Sequence, residues 1–513
     1  MYSKVYSAGL SGLEAHVIQV EADVSNGLPV FHMVGVLASA VREARERVRI
    51  SLQNSGYRLP ARRITVNLSP ADLRKDGSGF DLPIAISLLA AFGMIPIQKL
   101  NQTLIAGELS LNGKIGGIHG TLAMADVGKK EGFESILLPR QNAEEASLVE
   151  GIRVLGVETL SQAIAYFRGE TPIEPAKAAW KPQTEREDEP DFSEILGQER
   201  AKKALETAVS GGHNLLMIGA PGTGKTMLAR RIPGIMPRLT RDEAKELTKI
   251  YSVGGLLGEQ RPYICERPFR SPHHTIPPAA LAGGGKNPLP GEITLAHHGV
   301  LFLDELPEFS AKTLEILRQP MEEGKIQISR LGGSFEFPSE MIVVGAMNPC
   351  KCGFFPDRDR CRCTIGQIQG YLSRLSEPLL DRMDICVETE SVGFAGNGGN
   401  RETSAEIRQR IERTRQIQSE RYRNENIRKN SELRGRLITK YCHLRKGEQG
   451  LLEEITVNGT ISMRGRQRLL RVARTLADME MSEDITEEHL LLASAYKMIS
   501  KKYWGNEGEA WKI

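Results

Sequence analysis

Short apolar runs, each ended by glycine or by charged residues, recur along the chain and predict strands. The run HNLLMI at 213–218 is followed by GAPGTGKT and then by MLARRI, which predicts a strand, a loop and the start of a helix. The runs GVLFL at 299–303 and MIVVGAM at 341–347 predict two further buried strands. This succession of apolar strands and helical segments predicts an α/β fold.

Two breaks in the pattern divide the chain. The stretch GETPIEPAKAAWKPQTEREDEPD at 169–191 is rich in proline, glutamate and lysine and lacks periodicity, so it predicts an exposed linker. The second break is GFAGNGGN at 393–400. We therefore expect an N-terminal domain at 1–168, an α/β core at 192–392 and a mostly helical lid and C-terminal domain at 393–513.

The amino-acid composition is that of an ordinary globular protein and excludes few functions. The 513-residue chain is 40% hydrophobic and 26% charged, with a net charge of +3, so any nucleic-acid surface has to be local. The start, MYSKVYSAGL, lacks the apolar core of a secretory signal, and the longest apolar stretch, near 84–97, is too short to span a bilayer. Seven cysteines, four of them clustered, are typical of a reduced compartment. We expect a cytoplasmic protein with no membrane segment.

The segment GAPGTGKT at 219–226 fits the phosphate-loop pattern G-x-x-x-x-G-K-[ST] between a strand and a helix. Backbone N–H groups of such a loop turn toward phosphate oxygens, and the helix N-terminus adds positive potential. Lys225 is predicted to reach the β- and γ-phosphates of ATP, and Thr226 to ligate Mg²⁺. The predicted nucleotide-binding residues are Gly219, Pro221, Gly222, Thr223, Gly224, Lys225 and Thr226.

Polar side chains follow the next two strands where each strand ends. Asp304 is predicted to hold Mg²⁺ together with Thr226, and Glu305 to orient and deprotonate the attacking water. A strand that simply ends in solvated acids is the alternative, but the phosphate loop disfavours it. Asn348, at the tip of the third strand, is predicted to align the hydrolytic water.

Two arginines are candidates for contact with the γ-phosphate. Arg382 follows a short predicted helix in SEPLLDRMD, from which it can reach a neighbouring subunit and stabilise transition-state charge. An intramolecular Arg–Asp pair is the alternative. Arg464, at the start of an amphipathic helix, is predicted to be a phosphate sensor that acts within its own chain. The arginines that follow it are expected to be surface charge: Arg466, Arg468 and Arg471.

Several sequence blocks resemble AAA+ ATPases of the magnesium-chelatase-like type, specifically the YifB/ComM group. They are GAPGTGKT, RPFRSPHHTIPPAALAGGG, PGEITLAHHGVLFLDELPEF, GAMNPCKCG and SEPLLDRMDI, and the likeness extends over essentially the whole chain. The resemblance implies an AAA+ core with a helical lid, and a homo-oligomeric ring, expected to be a hexamer, with active sites between subunits. It implies an ATP-driven translocase or helicase acting on branched or single-stranded DNA without sequence specificity, as in branch migration during recombination or natural transformation. A chaperone-like ATPase that remodels a protein partner, as in magnesium chelatase, is the alternative.

The same resemblance gives the N-terminal domain a Lon-protease-like fold, of the ribosomal S5 domain 2-like class. The Ser–Lys pair of that protease falls on Asp81 and His119 here, with Ser78 offset by three residues. Because aspartate cannot form the acyl-enzyme of a Ser–Lys hydrolase, we expect the peptidase chemistry to be lost.

Two basic regions are candidate DNA contacts. The segment KIQISRLGGSFEF at 325–337 predicts a β-hairpin, and hairpins of related helicases line the ring pore, so Lys325 and Arg330 are candidates. Residues 401–450 hold fourteen Lys and Arg against seven Asp and Glu, an excess of seven. An ordinary solvated hairpin and a charged helical lid with internal ion pairs are the alternatives.

Cysteine and histidine clusters raise the question of metal. Two Cys-x-Cys pairs could enclose one structural Zn²⁺, although the usual zinc spacing is C-x₂₋₄-C, and a reduced metal-free loop is the alternative. Those cysteines are Cys350, Cys352, Cys361 and Cys363. The pairs His273-His274 and His297-His298 are expected not to share an ion, because adjacent residues of a strand point to opposite faces.

Overall fold

The computed structural model describes residues 1–177, 190–258, 261–285, 288–330, 333–357, 359–390, 401–459 and 461–504. The middle of the linker predicted at 169–191 and the break predicted at 393–400 lie outside them. The predicted α/β fold is confirmed: sheets with parallel strands and packed helices are followed by a helical C-terminal region.

The N-terminal region is built on a seven-stranded mixed sheet in the order β3-β4-β2-β1-β5-β8-β9. Alternate residues of β2 are buried, including Ile18, Val20 and Ala22, as expected for a strand with one face on the core. The apolar helix α2 is buried along its whole length. The strands are β1 (Tyr2–Ser11), β2 (Glu14–Ser25), β3 (Val30–Val34), β4 (Arg63–Ser69), β5 (Thr103–Ile105), β6 (Glu108–Leu109), β7 (Ile115–Gly116), β8 (Ser135–Pro139) and β9 (Arg153–Val157). The helices are α1 (Ser39–Asn54), α2 (Asp81–Ala91), α3 (Thr121–Lys130), α4 (Arg140–Ala146) and α5 (Leu160–Arg168).

The central region contains a five-stranded parallel sheet in the order β11-β14-β17-β10-β18. Its inner strands are apolar and buried on both faces, as parallel strands covered by helices require. The strands of this region are β10 (Leu215–Gly219), β11 (Phe269–Arg270), β12 (Gly283–Gly284), β13 (Leu289–Pro290), β14 (Val300–Leu303), β15 (Lys325–Arg330), β16 (Gly333–Pro338), β17 (Ile342–Met347) and β18 (Ile385–Thr389). The helices are α6 (Glu199–Gly211), α7 (Lys225–Arg230), α8 (Ile232–Ile235), α9 (Arg241–Val253), α10 (Pro278–Ala282), α11 (Glu292–Leu295), α12 (Ala311–Ile316), α13 (Arg318–Glu323), α14 (Ile365–Leu372) and α15 (Glu377–Leu380).

The C-terminal region is helical. Its helix α19 begins after Ser462, whose hydroxyl accepts the N–H of Gly465 as an N-cap. Leucine, valine and alanine at intervals of three and four residues along α19 pack into the same core as β10. Among the helices of the described segments, none combines the length and apolar content needed to cross a bilayer. The helices are α16 (Ser404–Arg421), α17 (Arg436–Tyr441), α18 (Lys446–Asn458), α19 (Met463–Met479) and α20 (Glu487–Trp504).

The N-terminal region contacts the central region through α3 and α9. The N–H of Gly120, at the start of α3, donates to Ser252 Oγ at 2.9 Å. Two ion pairs flank this bond: Lys245 Nζ lies 2.7 Å from Asp126 Oδ1, and Lys249 Nζ lies 2.8 Å from Glu14 Oε1. The central helix α9 is therefore held by hydrogen bonds and charge to the N-terminal region.

Candidate nucleotide-binding site

The loop between β10 and α7 crosses the carboxyl edge of the parallel sheet. Gly222 and Gly224 have φ angles of +78° and +84°, a conformation that favours glycine. A Cβ on Gly219 would lie 2.1 Å from Thr389 Oγ1, and Thr223 Oγ1 already bonds that hydroxyl at 2.7 Å. A side chain at Gly219 would therefore collide with Thr389, and a side chain at Gly222 or Gly224 would be strained by the positive φ angle.

Lys225 lies folded back against its own loop. Its Nζ donates to the carbonyl oxygens of Gly219 and Ala220 at 2.7 and 2.9 Å, and to Asn348 Oδ1 at 3.1 Å. Burial lowers the pKa of the Lys225 amine, which the nearby Asp304 partly offsets. A buried cation held mainly by neutral oxygens is suited to binding an anion, because an anionic ligand would supply the charge that the carbonyls lack.

Asp304 connects the loop to the end of β14. Its Oδ2 accepts the hydroxyl of Thr226 at 2.8 Å, and its Oδ1 accepts the backbone N–H of Glu305 at 3.0 Å. Hydroxyl and carboxylate oxygens are ligands that Mg²⁺ takes in proteins. Thr226 and Asp304 therefore fit the magnesium role predicted for them.

Glu305 has a backbone that few residues of its type adopt. Its φ is +51°, in the left-handed region that is costly for a side chain with a Cβ. The carboxylate stays largely exposed, and its Oε2 lies 3.4 Å from His274 Nδ1. From the sequence, His274 is considered only as one of two adjacent histidines that could bind a metal. Its position beside Glu305 depends on the path of the chain between α9 and α10. No local sequence pattern predicts that path.

The structure brings four of the predicted site residues to one edge of the sheet. Lys225 bonds Asn348, and Thr226 bonds Asp304. Asp304 directly follows β14, and Asn348 directly follows β17. These strands are neighbours, with Leu303 opposite Gly345. Carboxyl ends of parallel strands are where open α/β sheets bind ligands.

Arg382 lies at the opposite, amino edge of the sheet. Its side chain is 8% exposed, and the guanidinium donates to Glu322 Oε1 and to the Pro378 carbonyl, both at 2.5 Å. Arg382 is therefore paired with Glu322 within the chain. The alternative drawn from the sequence is a pair with an aspartate. Asn214, which precedes β10, donates to the Arg382 carbonyl at 3.2 Å and marks this edge.

Arg464 also lies at the amino edge, on the first turn of α19. It lines one cavity of about 760 Å³ together with Arg382, Arg468, Asn214 and Ile342. Asn214 and Ile342 precede or begin the strands whose other ends carry the phosphate loop and Asn348. The prediction that Arg464 senses a phosphate within its own chain does not fit this placement. The lid packs behind the sheet and presents α19 to the amino edge.

The prediction that Arg468 and Arg471 are surface charge is wrong. Arg468 is 7% exposed, and Arg468 Nε and Arg471 Nη2 lie 3.7 and 3.8 Å from Asp384 Oδ1. His213 Nδ1 approaches the other carboxylate oxygen of Asp384 at 3.5 Å. Burial opposes ionisation of Asp384, but Arg471, His213 and Arg468 outweigh it, so the pKa lies well below its usual range. Arg466 is half-buried.

The prediction that the second histidine pair diverges is also wrong. His298 has a φ of +54° and stands after α11 instead of in a strand, so the two rings stack with centroids 3.8 Å apart. The Nε2 atoms of His297 and His298 lie 3.4 and 2.8 Å from the same Glu246 oxygen. His297 Nδ1 accepts the N–H of Glu340 at 3.0 Å, which assigns the ring proton to Nε2. Hydrogen bonds from the two histidines lower the pKa of Glu246, and the three side chains form a hydrogen-bonded cluster.

The β15–β16 hairpin predicted at 325–337 is present, although 331 and 332 lie outside the described residues. Lys325 Nζ is paired with Glu336 Oε2 at 2.8 Å, and Arg330 Nη1 donates to the Ser329 carbonyl at 3.1 Å. The DNA contacts of Lys325 and Arg330 remain predictions.

Many of the lid arginines counted in the basic excess are engaged inside the chain. Arg410 binds both Glu206 and Glu402, at 2.8 and 2.7 Å. Arg421 lies 2.6 Å from Asp478. These pairs favour the interpretation of a charged helical lid for the residues concerned.

In the N-terminal region, Asp81 is fully buried and accepts two hydrogen bonds from Arg47, at 2.7 and 2.9 Å. Burial raises the pKa of Asp81, and Arg47 opposes that rise. Ser78 Oγ bonds to Glu108. His119 is exposed and stands over Gly255 of the central region, where an added Cβ would lie 2.8 Å from its Cε1. Asp81 thus forms a salt bridge with Arg47. The loss of peptidase chemistry remains a prediction.

The sulfur atoms of Cys350, Cys352, Cys361 and Cys363 all lie within 4.8 Å of one another. The structure therefore brings the two Cys-x-Cys pairs together into one cluster, directly after Asn348. The zinc ion itself remains a prediction.

Comparison with known proteins matches this geometry to a family. The family model described as magnesium chelatase, subunit ChlI, matches residues 191–395. A model of subunit ChlI of Mg-chelatase matches residues 20–142, and one of the ChlI C-terminal region matches 401–497. Together the three models include the phosphate loop, Asp304, Asn348 and Arg464.

Two relatives match over nearly the full length of the chain, and a third matches over part of it. The uncharacterized protein YifB of Escherichia coli (strain K12) is 41% identical over 502 residues, 97% of each chain. The competence protein ComM of Haemophilus influenzae is 40% identical, over 96% of this chain and 97% of its own. A magnesium-chelatase 38 kDa subunit from Acidiphilium rubrum is 25% identical over 58% of this chain and 87% of its own. The chain therefore belongs to the magnesium-chelatase-like AAA+ family, within its YifB/ComM group.

Proposed function

We propose that this chain is an ATP-hydrolysing motor that assembles into a homo-oligomeric ring, with six subunits, and translocates along branched DNA. One observation carries the proposal: Lys225, Thr226, Asp304 and Asn348 converge at the carboxyl edge of the sheet, while Arg382 and Arg464 lie at the amino edge. A complete ATPase site then needs the two edges of different chains to meet.

In the proposed reaction, the triphosphate binds across the loop from Gly219 to Thr226. Lys225 gives up its contacts with the Gly219 and Ala220 carbonyls and turns toward the β- and γ-phosphate oxygens. Thr226 and Asp304 would hold Mg²⁺, which supplies charge neutralisation to the phosphates.

Water attacks the γ-phosphorus in line with the leaving oxygen. Glu305 orients this water and takes its proton, and His274 holds the exposed carboxylate in position. The amide of Asn348, already joined to Lys225, aligns the same water. The ADP oxygen leaves as the bond to the γ-phosphorus breaks.

A neighbouring chain supplies the arginines. Arg382 leaves Glu322 and approaches the γ-phosphate of the next subunit, where it stabilises charge in the transition state. In this proposal Arg464 accompanies it and acts on the next subunit, in place of the role inside its own chain that the sequence predicted. The buried Asp384 holds Arg468 and Arg471 beside them and so fixes the start of α19.

The proposed domain arrangement keeps the sequence boundaries: 1–168, a linker at 169–191, a core at 192–392 and a lid at 393–513. We propose a Lon-like N-terminal domain without peptidase activity, in agreement with the buried Asp81–Arg47 pair. We also propose a cytoplasmic location, where ATP and reduced thiols are available.

DNA is proposed as the substrate from the relationship to the competence protein ComM. The β15–β16 hairpin, with Lys325 and Arg330, is the proposed contact within the ring pore. Lys325 forms an ion pair with Glu336 in the structure. For Lys325 to bind DNA, this pair has to break and a DNA phosphate has to replace the Glu336 carboxylate. Such a contact weakens as salt concentration rises.

A second candidate function is the remodelling of a protein partner. The internal pairing of Arg410 and Arg421 reduces the basic surface of the lid, and one relative is a magnesium-chelatase subunit. A protein-remodelling ATPase needs no such basic surface.

The experiment that separates the two candidates measures ATP hydrolysis at low salt with no addition, with linear duplex and with a four-way junction. The DNA motor is expected to hydrolyse ATP severalfold faster with the junction and to convert the junction into duplex products. Lys225→Ala, which loses nucleotide binding, is the control for contaminating activity. A rate that stays unchanged with every DNA, in a protein that hydrolyses ATP alone, would contradict the DNA role and favour the protein substrate.

A further inference from the structure

The spacing of the four clustered cysteine sulfurs fits a metal and does not fit disulfides. Cys350 Sγ lies 3.3 Å from Cys352 Sγ and 3.8 Å from Cys361 Sγ, and Cys352 and Cys361 are 3.5 Å apart. A tetrahedron with Zn–S bonds of about 2.3 Å has edges of about 3.8 Å. A disulfide requires about 2.0 Å. The remaining sulfur, of Cys363, lies within 4.8 Å of the other three.

We propose that Cys350, Cys352, Cys361 and Cys363 bind one Zn²⁺ ion, and that this ion fixes the loop that supports the phosphate loop. On binding, the four thiols release four protons and the site carries a charge of −2. Basic side chains stand between the ligands in the sequence: Lys351, Arg360 and Arg362. Four thiolates close the coordination shell, so the ion is structural and has no position for a substrate.

The segment that begins at Cys350 and ends at Cys363, the zinc loop of this proposal, touches the phosphate loop at Gly353. This glycine has a φ of +86°, and a Cβ added to it would lie 2.4 Å from Pro221 Cδ. The N–H of Gly353 donates to the Cys350 carbonyl at 3.0 Å, so the turn that rests on Pro221 begins at a zinc ligand. Position and strain both restrict this contact to glycine.

Two further contacts join the zinc loop to its surroundings. Asn348, two residues before Cys350, bonds Lys225 at 3.1 Å. Phe355 packs edge-on against Tyr503 of α20, with ring centroids 6.3 Å apart. The loop thus meets the phosphate loop, the predicted water-aligning amide and the last helix. Without the ion, a segment with few buried side chains would have little to hold these contacts in place.

The first test is metal content of the full-length chain, purified under reducing conditions without metal-affinity resin. Zinc is measured by mass spectrometry and by release with an organomercurial reagent. We expect one zinc per chain in the wild type and in the control Cys265→Ser, whose cysteine lies outside the cluster. Cys352→Ser and Cys361→Ser are expected to lose it. A wild type with well under one zinc after growth in zinc-supplemented medium, or a chain with both Cys352→Ser and Cys361→Ser that keeps its zinc, would overturn the site.

The second test concerns coupling to nucleotide and rests on the proposed nucleotide site. Zinc is stripped with a chelator, the chelator is dialysed away, and binding of a fluorescent ATP analogue is measured with Mg²⁺ restored. We expect binding about tenfold weaker without zinc, and recovery when zinc is returned. Gly353→Ala is expected to keep zinc yet weaken nucleotide binding to a similar degree, because its methyl group meets Pro221.

The outcomes separate the two proposals. If the stripped chain and Gly353→Ala bind nucleotide as the wild type does, the coupling is wrong even where zinc is present. If the zinc-loaded wild type binds no nucleotide, the proposed function fails, and the metal content still decides the zinc site on its own.

Discussion

The two edges of the central sheet differ in how their polar groups are satisfied. At the carboxyl edge, Lys225, Asn348, Thr226 and Asp304 bond to one another or to the loop itself. At the amino edge, Arg382 is paired with an acid of α13, Glu322. The carboxyl edge holds the phosphate loop and the predicted magnesium ligands, and the amino edge holds the arginines Arg382 and Arg464. Under the proposed function, one chain carries the two halves of one site, and they face away from each other.

The largest expected effect comes from removing the cation of the carboxyl edge. Lys225→Ala is expected to lower ATP hydrolysis at least about a hundredfold, because its amine contacts both the loop and Asn348 and is predicted to reach the phosphates. Nucleotide binding and hydrolysis are measured on the same preparation. Lys130→Ala, an exposed lysine at the end of α3, is the matched control and is expected to behave as wild type.

Glu305→Gln separates binding from chemistry at the same edge. We expect ATP to bind normally while turnover falls about a hundredfold or more, since the amide cannot accept the proton of water. Single-turnover hydrolysis with bound-nucleotide analysis measures this. Normal turnover in Glu305→Gln would remove the general-base role from Glu305.

Mixed rings test whether the two edges meet between chains. Arg382→Ala and Lys225→Ala are each expected to be inactive alone, whereas mixing them restores part of the wild-type rate. In the mixture, an intact phosphate loop can stand next to an intact Arg382 of another chain. The same recovery is expected for Arg464→Ala mixed with Lys225→Ala. If Arg464 acted within its own chain, that second mixture would stay inactive.

The smallest expected effect concerns His274. His274→Ala is expected to lower kcat about three- to tenfold with little change in KM, because the ring lies 3.4 Å from the Glu305 carboxylate and positions it. His274→Asn, which keeps a hydrogen-bond donor, is expected to recover part of the loss. Steady-state kinetics at saturating ATP give the comparison, and an unchanged kcat in His274→Ala would show that Glu305 needs no partner.

Local sequence predicted the carboxyl edge better than the amino edge. The phosphate loop is contiguous, and Asp304 and Asn348 each follow an apolar strand, so strand ends alone bring them together. Arg464 and Arg468 depend on where the lid packs, and that is a property of long-range contacts between α19 and the core. The residues next to Arg464 and Arg468 in the sequence do not predict at which edge of the sheet these arginines lie.

Histidine positions show the same limit. The expectation for His297 and His298 assumed a strand, whereas a single residue at φ +54° turns both rings toward Glu246. The contact of His274 with Glu305 likewise spans 31 positions of the chain, the difference between 305 and 274. A pattern read over a few residues contains neither the turn nor the contact.

The left-handed backbone of Glu305 matters for any attempt to stabilise the protein by substitution. A residue with a long side chain at φ +51° costs roughly 1 kcal/mol relative to asparagine or glycine. Glu305→Asn is therefore expected to melt slightly higher than the parent in differential scanning calorimetry, although it lacks turnover. Substituting Glu305 for thermal stability alone would therefore remove the proposed general base, so stability and turnover oppose each other at this one position.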